Sequence, residues 1–264
     1  MKKQSLVIKC GGSTLAQLPD SFYVDMGKLQ LSGIIPVIVH GGGPAINETL
    51  LRFNIESTFV NGLRKTSPEV LQVVEMVLGG QINKQIVRRI QSFGAMAVGL
   101  SGIDGRLIQA KPVSNADEIG FVGEVIGVNA ELIQGIVEMG YMPVIAPLGI
   151  GEDGQSFNIN ADTAAGAVAS HLGAERLVVV TDVPGIMKIV DGERVVLPTI
   201  TVAEIEQMID SGDIYGGMIP KVRAAVQCIQ GQVHEVIIVD GSVPEVLSKV
   251  LAGTSGIGTR IVRV

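Results

Sequence analysis

Lys9 sits at the end of an apolar run, Ser5–Cys10, and is followed at once by Gly11 and Gly12. A lysine in such a segment needs a counter-charge, which phosphate oxygens supply, unless its stem only snorkels to the strand end. A second glycine-rich turn, His40-Gly41-Gly42-Gly43-Pro44, follows the next apolar run. Glycine turns that open helices leave backbone N–H groups bare at the positive helix end, an arrangement that receives anions. Neither is a Walker A loop, because no glycine-lysine-Ser/Thr triplet closes it. Further on, Gly216-Gly217-Met218-Ile219-Pro220-Lys221 puts a lysine in the first turn of a helix. A cation there opposes the helix dipole, so stability alone does not account for it, whereas a bound anion would. In Asn158-Ile159-Asn160-Ala161-Asp162, Asn160 is placed to cap a helix and Asp162 falls in its first turn, where dipole complementation is a sufficient structural reason. Asp182 closes another apolar run in Thr181-Asp182-Val183-Pro184-Gly185. These residue types suit anion chemistry, and phosphate is the natural candidate.

The elements that must position them are legible as short Val/Ile/Leu runs separated by longer helical stretches. Ser5–Cys10, Ile35–Val39, Ala95–Leu100, Met142–Ala146, Arg176–Thr181 and Glu235–Val239 do not alternate with polar residues, as expected of strands buried on both faces. Ser67-Pro68-Glu69 reads as a helix opening, and Thr201-Val202-Ala203-Glu204 as a capping box. Gly140, Gly173, Gly212 and Gly231 lie where helices should stop. This alternation predicts an α/β fold with a mostly parallel sheet covered on both faces, whose ligands bind beyond the carboxyl ends of the strands. Residues 54–65 predict a hairpin turning at Asn61-Gly62, and residues 106–128 a second pair of strands around Ser114–Glu118. Both would project over a ligand. Gly149-Ile150-Gly151-Glu152-Asp153-Gly154 satisfies GxGxxG, yet Glu152 and Asp153 would repel a pyrophosphate and no helix pattern follows, so it reads as a turn. The chain is expected to be one domain with an N-terminal lobe, residues 1–173, and a C-terminal lobe, residues 174–264.

Composition narrows the class. Of 264 residues, 47% are hydrophobic, enough for a sizeable core, and a net charge of −6 without a basic block disfavours a nucleic-acid partner. Aromatic residues are only 3%, too few for a base-stacking or sugar-binding platform. No apolar run approaches a membrane span, and Met1-Lys2-Lys3-Gln4 leads into nothing like a signal peptide, so a soluble cytoplasmic protein is expected. Cys10 and Cys228, far apart and without a paired spacing, read as buried thiols of a reducing compartment, or as one distant bridge should the fold bring them together.

Taken together in order, these motifs resemble the amino acid kinase family from about Ser5 to Arg263: Lys9 with Gly11-Gly12, His40 to Gly43, Asn61-Gly62-Leu63-Arg64, Asn158 to Asp162, Thr181 to Gly185, and Gly217-Met218 leading to Lys221. The Asn-Gly-Leu-Arg turn joined to the Asn-x-Asn-Ala-Asp segment is similar to the branch that phosphorylates the γ-carboxylate of N-acetyl-L-glutamate in arginine biosynthesis. The resemblance implies a three-layer αβα sandwich around a mainly parallel sheet of about eight strands. It also implies a homodimer, ATP as phosphoryl donor, and Mg²⁺ carried by the nucleotide. By position, Lys9, Lys221 and Asp162 correspond to catalytic residues, with Asp162 orienting both lysines. Gly42 and Gly43 correspond to backbone donors at the acyl substrate, Arg64 to the partner of its α-carboxylate, and Asn158 to another substrate contact. Gly11, Gly12, Asp182, Val183, Pro184, Gly185, Ile186, Met187, Asp213, Ile214 and Tyr215 correspond to nucleotide-binding positions. The N-terminal lobe would then hold the acyl substrate, the projecting hairpins and the dimer contact, and the C-terminal lobe the ATP. Alternatives are an α-aminoadipate-type carboxylate kinase, for which a basic surface near the acyl site is expected and not evident, and a non-catalytic nucleotide-binding module. Arginine-inhibited relatives carry a helix ahead of the first strand; with only Met1–Gln4 in that place, insensitivity to arginine is expected.

Overall fold

Leu6–Cys10 (β1) is buried at all five positions and runs through the middle of the molecule. The computed structural model describes residues 6–12, 18–190, 193–216, 218–231 and 233–263. Met1–Ser5 and Gly217, which figure in the sequence motifs, lie outside these. β1 pairs in parallel with Val37–His40 (β2) on one side and Arg176–Thr181 (β11) on the other. Beyond β2 come Met142–Ala146 (β8) and Ala97–Ser101 (β5), and beyond β11 come Glu235–Asp240 (β15), Thr259–Val262 (β16) and Thr199–Thr201 (β14). Eight strands therefore form the central sheet, parallel throughout except where β15 meets β16 antiparallel. The six predicted strands are all present, within two residues of their expected bounds at each end.

Side chains alternate across this sheet into two cores, giving three layers. Leu6, Ile8 and Cys10 face helices Asp20–Leu31 (α1), Gly43–Arg52 (α2), Pro68–Glu75 (α3), Asn83–Ser92 (α4) and Val246–Leu251, while Val7 faces the other layer. That layer includes Ala130–Glu138, Ala161–His171 (α7), Val202–Asp210 and Met218–Gln230 (α9). Helix starts follow the local chemistry: Ser67 caps α3 by accepting from Val70 N, and Thr201 and Glu204 form the reciprocal capping box. Gly140, Gly173 and Gly212 take positive φ after their helices; Gly231 does not, although its N–H still returns to Gln227 and Cys228 carbonyls.

Smaller elements overhang the carboxyl ends of β1, β2 and β8. Phe59–Val60 (β3) and Leu63–Arg64 (β4) form the predicted hairpin, with Asn61 and Gly62 at φ 50° and 81°, the two left-handed positions of a tight turn. Ile108–Pro112 (β6) and Gly123–Val128 (β7) form the second, joined through a short helical turn, Ala116–Ile119. They build a four-stranded sheet with Leu148–Ile150 (β9) and Ser156–Asn158 (β10). After β11, Met187–Val190 (β12) and Glu193–Val196 (β13) pair with each other antiparallel, apart from the central sheet. The GxGxxG segment is the end of β9 and the loop that leads to β10, closed by Gly151 N donating to Gln155 O at 2.8 Å. It is a turn. Between α3 and α4 the helix widens into a π-helical stretch, Met76–Ile82, which the sequence does not foretell.

Candidate active site

Lys9 and Asp162 meet across the layer boundary. Lys9 leaves the end of β1 toward α7, and Asp162 occupies the first turn of α7, where Asn160 Oδ1 accepts from the N–H groups of Asp162 at 2.9 Å and Thr163 at 3.1 Å. Lys9 Nζ lies 2.8 Å from Asp162 Oδ1, and Lys9 is only 6% exposed. A buried ammonium paired this way is fixed in place, because leaving it unpaired would be costly. Lys221 rises from the first turn of α9 and donates to Thr181 Oγ1 at 3.1 Å. Of the two lysines expected beside Asp162, Lys9 pairs with it, while Lys221 donates to the threonine at the end of β11. Thr181 in turn donates to Asp182 Oδ1 at 3.0 Å. The Asp182 carboxyl is held below its ordinary range by its own backbone N–H, the Thr181 hydroxyl and, less strongly, the Lys221 charge.

The two glycine-rich turns touch. A Cβ on Gly12 would lie 2.7 Å from Gly42 N and 3.0 Å from Gly43 N, backbone atoms that cannot rotate aside. Gly42 is itself pressed by the π-helical stretch, since its Cβ would come within 2.5 Å of both Leu78 and Ile82. The turns are therefore packed backbone against backbone, and Gly43 opens α2 facing free space. Bare N–H groups at a helix start, beside two lysines, form a site for an oligo-anion.

Arg64 comes down from the β3–β4 hairpin. Its Nη1 donates to Ser57 Oγ, its Nη2 reaches Gly43 O at 3.4 Å, and its guanidinium lies 4.7 Å from the centre of the Phe59 ring. Arg64 is 7% exposed, and burial lowers its pKa from the ordinary guanidinium value. No carboxylate among the described residues lies within ion-pair distance of it. A buried, always-charged fork without an acid is suited to a carboxylate brought from outside.

Lys9, Gly11, Gly12, Gly42, Gly43, Arg64, Asn158, Asp162 and Lys221 all line one cleft of about 330 Å³. Lys221 also lines a second cavity of about 380 Å³, walled by Val183, Gly185, Ile186, Met187, Asp213, Ile214 and Tyr215. Asp182 and Pro184, expected with them, line neither. The model of the amino acid kinase family matches residues 4–240. The chain belongs to the amino acid kinase family. It is 51% identical over 237 residues to an acetylglutamate kinase of Halalkalibacterium halodurans, covering 90% of this chain and 89% of that one. The crystal structure of smu.665 from Streptococcus mutans superposes with a TM-score of 0.85 at 31% identity, covering 98% of each chain. A carbamate kinase from Giardia lamblia bound to AMP-PNP shares the fold, with a TM-score of 0.74 at 19% identity over 100% of this chain and 99% of that one.

Several positioning residues of this amino acid kinase carry no sequence signal. Asn83 lies 43 positions from His40, yet its Nδ2 approaches His40 Nε2 at 3.3 Å and donates to Val144 O at 2.8 Å. His40 Nδ1 faces Gly41 O at 3.0 Å, so the ring donates there and accepts from Asn83. Burial lowers the His40 pKa to about 4, and the neutral ring braces the glycine turn. Thr181 and Ser57 are likewise hydroxyls whose roles appear only once distant strands are brought together.

Proposed function

We infer that this chain uses ATP to phosphorylate the γ-carboxylate of N-acetyl-L-glutamate. The observation that carries the reading is that Lys221 belongs to the walls of two adjoining cavities. One contains an acid-free arginine and facing glycine turns, and the other holds the residues matching the family's nucleotide stretch. A phosphate tail entering from the second cavity reaches Lys221, Lys9 and the glycine N–H groups as it meets the acyl substrate. The identity to acetylglutamate kinases supports the choice of acceptor.

Such a carboxylate is already ionised at neutral pH, so the nucleophile needs no base. The obstacle is the approach of two anions. One oxygen of the γ-carboxylate attacks the γ-phosphorus in line as the bond to the ADP oxygen breaks, and ADP departs with that electron pair. Lys9 and Lys221 balance charge on the moving phosphoryl group and the leaving ADP, the preorganised stabilisation on which phosphoryl transfer depends. Asp162 holds Lys9, and Thr181 holds Lys221. Gly11, Gly12, Gly42 and Gly43 contact phosphate and acyl oxygens without steric bulk, Arg64 pairs with the α-carboxylate, and Asn158 takes another substrate group. Mg²⁺ is assigned to nucleotide oxygens and water: among the described residues no three His, Cys, Asp or Glu converge, and Asp162 is engaged by Lys9. We assign the acyl substrate to residues 1–173, ATP to residues 174–264, and a homodimer as the working form.

The test is ADP release with N-acetylglutamate, free glutamate, α-aminoadipate and UMP in parallel. N-acetylglutamate should be preferred by orders of magnitude, and comparable turnover with any other acceptor overturns the assignment. Arg64→Lys should raise KM for the acyl substrate with little change in kcat.

A further inference from the structure

Thr66 is fully buried between the two groups assigned to the acyl substrate, and its hydroxyl has one proton to give. Thr66 Oγ1 lies 2.8 Å from the Arg64 carbonyl oxygen, which can only accept, so the proton is committed there. The Asn158 side chain reaches the same hydroxyl at 3.1 Å. With its proton engaged, Thr66 Oγ1 can only accept, so Asn158 must present its amino group, Nδ2. The other end of the amide, Oδ1, is thereby assigned to the cleft that Asn158 lines, and no donor among the described residues reaches it.

The backbone makes this arrangement rigid. Thr66 N donates to Ile119 O at 2.7 Å, Thr66 O accepts from Phe121 N at 2.8 Å, and Asn158 N donates to Phe121 O at 2.9 Å. Residues 119–121 thus clamp Thr66 and Asn158 together. Gly120 is required at the clamp, with φ at 76° and a Cβ that would fall 2.2 Å from Thr66 O. One hydroxyl therefore ties the strand bearing Arg64 to the amide of Asn158.

We propose that Thr66 is a positioning residue that locks the Asn158 amide with its oxygen toward the substrate, making the cleft select an acceptor molecule that carries an N–H beside its α-carboxylate. This rests on the reading of the cleft as the acyl-substrate site. Arg64 takes the carboxylate on the α-carbon, and Asn158 Oδ1 accepts from the nitrogen on the same carbon. An ester oxygen in that place offers only lone pairs and meets Oδ1 with repulsion.

The test compares N-acetylglutamate with 2-acetoxyglutarate, in which the amide N–H is replaced by an ester oxygen, in wild type, Thr66→Val and Thr66→Ser. Wild type should prefer the amide by about tenfold or more in kcat/KM, the scale of one directed hydrogen bond plus the clash it avoids. Thr66→Val frees the Asn158 amide to turn, so the preference should shrink to about twofold through KM for the acyl substrate, with KM for ATP unchanged. Thr66→Ser keeps the hydroxyl and should restore the preference. If the valine variant does not fold, Thr66→Ala carries the same expectation. A valine or alanine variant that keeps the full amide preference, or a serine variant that loses it, overturns the proposal. Wild type inactive toward N-acetylglutamate would instead overturn the reading of the site.

Discussion

Gly12→Ala is the sharpest probe of the facing turns. The new Cβ would sit 2.7 Å from Gly42 N and 2.9 Å from Gly42 Cα, against 3.4 Å where ordinary contact begins. The turns must separate by about 0.7 Å, and both neighbours are backbone, so no rotamer change relieves the contact. Gly42 cannot retreat easily because Leu78 and Ile82 stand behind it. Overpacking of this kind costs about 1–3 kcal/mol. At about 2–4 °C of Tm per kcal/mol for a chain of this size, the variant should melt several degrees lower and remain folded at 25 °C. Activity should suffer more than stability. A displacement near 1 Å at a reacting centre costs about a hundredfold, so kcat/KM should fall by roughly ten- to a hundredfold. ADP-release kinetics with both substrates varied, beside a melting curve, measure the two effects separately. If Tm drops as expected while kcat/KM stays within about twofold of wild type, these turns do not hold the reacting groups.

Other perturbations test separate links. Asp162→Asn leaves Lys9 charged and unpaired in a nearly closed site, costing about 3 kcal/mol, and ATP should raise the Tm of this variant more than that of wild type because phosphate replaces the missing charge. His40, at a pKa of about 4 against an ordinary 6.5, binds a proton in the unfolded chain before it does in the folded one. Its contribution is full above pH 6.5 and falls by about 3 kcal/mol as the pH drops toward 4. Melting across that window should therefore be steeper for wild type than for His40→Gln, each normalised to its own pH 7 value; parallel curves would remove His40 as the cause. Gly135 lies inside helix Ala130–Glu138, and a methyl group added there would meet nothing within 4 Å, so Gly135→Ala should stabilise by about 0.5–1 kcal/mol and leave turnover unchanged.

Much of this molecule is legible in its amino acids because local rules and global packing agree. Apolar runs without alternation announce strands buried on both faces, as at β1, β11 and β15. Ser67, Asn160 and Thr201 announce helix starts, and Asn61-Gly62 its hairpin, because each satisfies backbone groups only a few residues away. The line of sight ends where partners are remote. Nothing in the spacing of Thr66 and Asn158, or of His40 and Asn83, says they share a hydrogen bond. Either lysine could have claimed Asp162 on sequence grounds, and only the direction of α7 over β1 awards it to Lys9. The π-helical stretch, which sets Leu78 and Ile82 beside Gly42, has no local signature either.

β1 is an interior strand of the sheet, paired with β2 on one side and β11 on the other, and the cleft that Lys9 lines is walled from both flanks. A strand hydrogen-bonded on both sides opens last when a sheet frays from its edges. Lys9 is carried on that strand. Edge strands can thus loosen while the ammonium keeps its place.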